Sequence, residues 1–182
     1  MATRSGNEIL DALITEWIDL NPDLYGVAGE YIGNLEYMRY KDDRGENDPQ
    51  NSTSHCLDVA VQFEAFVNGR LQDLNLGGCF DKESENYAWA ERDADYTWFG
   101  YQDRSEVGHE GDDSHSATLV ELGQEIFAVD WTASQYGYRE FPMVLKYLAP
   151  PDASAGEIIY DQEPTWLREW PELTMDVAVP SI

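Results

Sequence analysis

The chain has 182 residues, enough for one domain with a substantial core, and is strongly acidic, with 36 aspartates and glutamates against 11 lysines and arginines and a net charge of −25. A field of that sign repels phosphate backbones and anionic lipid, so binding to nucleic acid or to a membrane through a basic surface is excluded. With 42% hydrophobic and 13% aromatic residues, the composition is that of a folded chain, not a disordered acidic tail.

No apolar run reaches the roughly 18 residues of a membrane span, and the first residues lack a basic-then-apolar signal pattern. Cytoplasmic residence is the resulting expectation. Two cysteines, Cys56 and Cys79, make no disulfide framework and are expected as free thiols. The acidity itself reads as solubility or adaptation to high salt, or else as complementarity to a basic partner.

In chain order, Ser5-Gly6-Asn7-Glu8 fits a capping box, and Ile9, Leu10, Leu13, Ile14, Trp17 and Ile18 recur at helical spacing. A helix is predicted from about Gly6 to Leu20, stopped by Asn21-Pro22-Asp23. Val27 to Tyr40 reads as a second helix, and the polar tract from Lys41 to Ser54 as a surface loop. Val59, Ala60, Phe63, Phe66, Val67 and Leu71 then mark an amphipathic helix, with Asn51, Thr53 or Ser54 as its cap. Cys56 therefore falls in or just before the first turn. There the unpaired N–H groups and the positive end of the helix dipole favour a thiolate, which is a setting for a nucleophile.

After Asn75-Leu76-Gly77-Gly78-Cys79 the chain becomes aromatic and alternating, with Tyr87 and Trp89, then Tyr96, Trp98 and Tyr101. This pattern predicts a hairpin turning near Arg92-Asp93-Ala94-Asp95. An acidic loop from Gln102 to Ser114 leads to two clearer strands, Ser116 to Leu122 and Glu125 to Trp131, joined across Gly123-Gln124. Phe141 to Leu148 is short and apolar and ends at Pro150-Pro151. The remainder, with Trp166 and Trp170, is expected to pack as irregular structure with one short helix. Helices first and an antiparallel sheet later give an α+β class, in one domain: helices over 1–45, a core over 50–148 and a packed tail over 149–182.

His115 opens the late hairpin and Asp130 closes it, fifteen residues on. Two strands of about seven residues and a tight turn return the chain to its starting level, so the two side chains can meet. A carboxylate beside imidazole fixes the tautomer and supports the imidazolium, which is what activation of a thiol requires.

The order Cys, His, Asp is carried by Ser54-His55-Cys56-Leu57, by His115-Ser116-Ala117-Thr118-Leu119-Val120-Glu121 and by Ala128-Val129-Asp130-Trp131-Thr132-Ala133-Ser134-Gln135. It resembles the papain-like cysteine peptidase superfamily, in particular its transglutaminase-like and arylamine N-acetyltransferase-like branches. The last stretch looks like the Asp-Pro-Thr with a following Gln of transglutaminase-like domains, with Trp131 where proline is usual. The likeness spans about Gln50 to Gln135.

What the resemblance implies is a papain-like core with its nucleophile at a helix start packed on an antiparallel sheet. Cys56 would be the nucleophile, His115 the base, Asp130 the orienting group, and Gln50, six residues before the cysteine, an oxyanion donor. A thiol hydrolase or acyltransferase acting on an amide or carboxamide of a peptide or protein is the expected activity, with the acidic charge favouring a basic substrate. Trp131 and Trp89 are candidates to line a substrate groove.

Other constellations are poorer. The histidines and cysteines lack the short paired spacings of a zinc site, Glu110, Asp112 and Asp113 lack an EF-hand pattern, and Gly26, Gly29 and Gly33 do not follow a strand. No cofactor and no metal are expected, and the absence of C-x-x-C argues against a dithiol redox protein. The rival from another class is a noncatalytic acidic binding protein, such as a viral accessory or structural protein or a nucleic-acid mimic, engaging a basic partner.

Overall fold

The computed structural model describes residues 5–21, 56–73, 86–104, 114–138, 140, 142–154, 156–160, 162 and 165–168. The helix expected over Val27 to Tyr40, the loop before Cys56, and Gln50, Cys79 and Trp170 lie outside them.

Helix α1, Gly6–Leu20, begins where its cap is written: Ser5 accepts from the Glu8 backbone N–H and the Glu8 carboxylate accepts from that of Ser5. Its apolar stripe, Ile9, Leu10, Leu13, Ile14 and Trp17, is buried. Helix α2, Cys56–Asp73, turns Val59, Phe63, Val67 and Leu71 to the same core. An Arg70–Glu16 ion pair of 2.6 Å joins the two helices.

Among the described residues five antiparallel strands lie in chain order across one sheet: β1 Asn86–Asp95, β2 Ser114–Leu122, β3 Glu125–Asp130, β4 Met143–Leu148 and β5 Thr165–Arg168. The α+β class is realised in this way, with two α-helices and an antiparallel sheet among the described residues. The β2–β3 hairpin turns at Gly123, whose φ of 69° is one that glycine adopts without steric cost. No helix among the described residues is long and apolar enough to cross a membrane.

Two stretches depart from the sequence reading. Arg92 and Asp93 do not turn a hairpin; β1 runs straight through to Asp95, paired with β2, and its register slips between Glu91 and Ala94. A bulge absorbs the charged residues without ending the strand. The Asp95 side chain then caps a 3-10 helix, Tyr96–Phe99, through the Thr97 N–H at 2.8 Å, so the second aromatic run is not a strand. The tail is likewise more regular than expected where it is described, since Thr165–Arg168 pairs with β4 as an edge strand.

The sheet separates two cores. On the helix side Trp17, Phe63 and Trp131 meet edge to face or tilted, with Val120, Phe127 and Val129 from the strands. On the other side Phe99, Tyr101, Leu119, Ala128, Tyr136 and Leu145 form an aromatic-rich core. Helix α2 also covers the open edge of β1. The Asn68 amide exchanges two hydrogen bonds with Ala88, at 2.8 and 2.9 Å, and Glu64 accepts from the Ala90 N–H at 3.1 Å.

Candidate functional site

The contacts of α2 fix its direction. Asn68 bonds Ala88, Glu64 bonds Ala90, and the Ala60 carbonyl accepts from the Thr118 hydroxyl at 2.8 Å. Going back along the helix thus leads toward the end of β1 and the start of β2. Cys56, its first residue, arrives at the sheet end where His115 stands.

Along β2 and β3, alternate residues point to opposite faces. Thr118 lies across from Val129, which places His115 and Asp130 on the same face, one diagonal step apart at the strand ends. They meet: His115 Nε2 is 2.6 Å from Asp130 Oδ2. The cysteine side chain completes the group, in hydrogen-bonding contact with the His115 ring. His115 is 0% exposed, Asp130 1% and Cys56 7%.

A carboxylate so deeply buried survives only if its oxygens are satisfied. Asp130 Oδ1 accepts from the Thr132 backbone N–H at 2.8 Å and from the Thr132 hydroxyl at 3.0 Å. Its Oδ2 accepts from the Tyr101 hydroxyl at 2.8 Å as well as facing His115. Burial raises the Asp130 pKa, but the His115 charge and these donors outweigh it and hold the carboxyl below the usual carboxylate range. Burial likewise disfavours a charged His115, yet Asp130 and Cys56 outweigh it and the ring is pushed up to about 9. For Tyr101, burial and the adjoining Asp130 act together and raise the phenol well above its ordinary value, so it remains a donor.

Gln135 is the member that motif spacing did not single out as a site residue. Its Nε2 lies 3.0 Å from His115 Nδ1 and 3.3 Å from Thr132 Oγ1. The Thr132 hydroxyl gives its hydrogen to Asp130, so its oxygen accepts from the amide, which fixes the nitrogen end of Gln135 toward the ring. In the neutral ring Nε2–H then donates to Asp130 and the Nδ1 lone pair accepts from Gln135. With Nε2 committed to the carboxylate, Nδ1 is the position left to serve the thiol. Protonated there, the ring donates toward sulfur and gives up the bond from the amide.

Phe99 and Tyr136 stand edge-on to the imidazole, at 5.5 and 5.0 Å between centroids, and Tyr101 is tilted against it at 5.9 Å. These rings come from the 3-10 helix Tyr96–Phe99, the segment after it, and a second 3-10 helix, Ala133–Tyr136, which also delivers Gln135.

The two tryptophans proposed for a groove lie apart from this group. Trp131 follows Asp130 directly, so it points to the opposite face of the sheet; it is 3% exposed and packs on Phe63 and Trp17. Trp89 is on the same face as His115 but out on β1, half-buried and stacked on Tyr87. Among the described residues no group of three or more histidine, cysteine or acidic side chains is placed to hold a metal ion.

Comparison with protein-family models, with curated proteins and with solved structures finds no match for this chain.

Proposed function

We propose that the protein is a papain-like thiol hydrolase or acyltransferase that acts on an amide or carboxamide through an acyl-thioester. The observation that carries this reading is the convergence of Cys56, His115 and Asp130 from three elements on one buried, hydrogen-bonded point. A nucleophile at a helix start, facing a histidine and an aspartate on adjacent antiparallel strands, is the arrangement of the transglutaminase-like and arylamine N-acetyltransferase-like branches.

The chemistry follows from the bonds. His115 Nδ1 already holds the Cys56 proton when the sulfur attacks the carbonyl carbon; the tetrahedral oxyanion collapses, and the imidazolium protonates the departing amine. Asp130 holds Nε2 throughout and supports the charged ring. Water or a second amine then takes the acyl group from sulfur, the same ring acting as base. Gln50 remains a proposed oxyanion donor on its place in the sequence. The acid-rich surface favours a basic peptide or protein as substrate.

The test is alkylation by iodoacetamide followed by peptide mapping. Cys56 is expected to be modified faster than Cys79 at neutral pH. Cys56→Ala should remove that fast phase and leave the circular dichroism spectrum unchanged. Equal labelling of both cysteines would defeat the reading.

The burial of the triad, with His115 at 0% exposure, favours a second one: the same network as a structural core in a noncatalytic acidic binding protein. In that case Cys56 is inert to the reagent until the protein unfolds.

A further inference from the structure

The sheet face opposite the helices carries an acid set among aromatic rings. Along β1, Ala88 belongs to the helix-side core, so Tyr87, Trp89 and Glu91 share the other face. Tyr87 stacks on Trp89 at 5.1 Å. The Trp89 indole N–H and the Tyr160 hydroxyl both donate to Glu91 Oε2, at 3.3 and 3.2 Å, and Tyr160 stacks on Trp98 with planes 9° apart.

Both donors are neutral and both use one oxygen. Among the described residues no lysine or arginine pairs with Glu91. The rings around it are reachable, with Tyr160 57% and Tyr87 39% exposed.

The protein shows on the same side what such a surface receives. The Arg168 guanidinium lies over the Tyr138 ring at 5.0 Å and bonds Glu140 at 2.7 Å, and Arg104 lies over that ring at 4.7 Å. Aromatic face, carboxylate and guanidinium form one unit there. Glu91 with Trp89 and Tyr160 supplies the first two parts of the same unit.

We propose that Glu91, Trp89 and Tyr160 form a docking site for an arginine side chain of a basic peptide or protein partner. A planar guanidinium can lie on the exposed ring of Tyr160 while donating to Glu91, and it sheds water more readily than an ammonium, so arginine is preferred over lysine. The net charge of −25 draws such a partner in from a distance. Burial and the Glu91 charge push the Tyr160 phenol up to about 12, so its hydrogen bond to Glu91 persists through neutral pH. The site goes beyond the thiol chemistry and stands even if Cys56 is inert.

The test is a titration of the full chain with the peptide acetyl-Gly-Arg-Arg-Gly-amide, followed by tryptophan fluorescence, beside the same peptide carrying citrulline for arginine and one carrying lysine. The arginine peptide is expected to bind saturably and more tightly than the lysine one, with citrulline losing most of the affinity. Glu91→Gln, which keeps the shape and both aromatic donors, should weaken binding about tenfold. Tyr160→Ala should weaken it as well. Glu157→Gln, on the same exposed segment, controls for loss of one charge and should change affinity less than about twofold. Equal losses in Glu91→Gln and Glu157→Gln would reduce the binding to the general field and overturn the site, as would the absence of saturable binding.

Discussion

Asp130 is the residue on which the candidate site depends, because its two oxygens tie together four other groups from three parts of the chain. Replacing it by asparagine keeps the shape and removes the charge that opposes the burial of an imidazolium. His115 should then fall from about 9 to below its ordinary value, which a pH titration of the ring by NMR reads directly. Under the proposed thiol chemistry, alkylation of Cys56 at pH 7 should slow about tenfold or more in the same variant, since the ring beside the sulfur no longer carries a charge. Tyr101→Phe deletes one donor to a buried carboxylate and should cost about 2 kcal/mol in urea unfolding, while the fold persists. The His115–Asp130 pairing was legible in the sequence because a tight turn and strand alternation determine it. The same alternation says that Trp131 cannot share the face of its neighbour Asp130, a constraint that outweighs the appeal of a tryptophan beside a candidate site. Gln135 was harder to see, since a 3-10 helix returns it to the ring and no periodic pattern announces that bend. The available signal was its place as the Gln following Asp130 and Thr132 in the stretch that resembles transglutaminase-like domains, and the Gln135 and Thr132 side chains do bond.

At the scale of elements, α2 does two jobs: it sets Cys56 at its first turn and closes the edge of β1 with side chains. Asn68 imitates a strand neighbour, its amide giving and taking one hydrogen bond with Ala88. Asn68→Ala should leave both backbone groups of Ala88 without that partner and cost about 2 kcal/mol, and the Ala88 amide should exchange with deuterium faster than amides in β3. Helix α1 and the β2–β3 hairpin could be read in advance because each carries its own punctuation, a capping box in one and a glycine with positive φ in the other. Elements whose existence depends on a distant partner could not. The stretch of β1 beyond Glu91 is a strand because β2 continues alongside it, and Thr165–Arg168 is one because β4 offers an edge. Local composition at Arg92-Asp93 speaks for a turn, and long-range pairing overrides it.

For the whole molecule, charge and the buried pair give stability a defined dependence on pH and salt. His115 rises from 6.5 in the unfolded chain to about 9 in the fold, so its contribution is complete below about pH 6.5 and is lost as pH climbs through 9. That loss is on the order of 3 kcal/mol at most. Asp130 shifts the other way: its contribution is present above the ordinary carboxylate range and disappears as pH falls through its lowered value. The pair therefore favours the fold most between those limits, and His115→Ala should flatten the alkaline decline in thermal unfolding midpoint between pH 6.5 and 9. Superimposed on this is the repulsion among 36 acidic side chains countered by only 11 basic ones, which acts at long range and is screened within about 8 Å at physiological ionic strength. Because the His115–Asp130 contact is buried and screened far less, raising sodium chloride should relieve the repulsion without weakening the site. The unfolding midpoint at pH 7.5 should consequently rise with salt, and by a similar amount in wild type and in His115→Ala. A midpoint that falls with salt in the wild type alone would mean that the buried pair, rather than the surface field, governs the response.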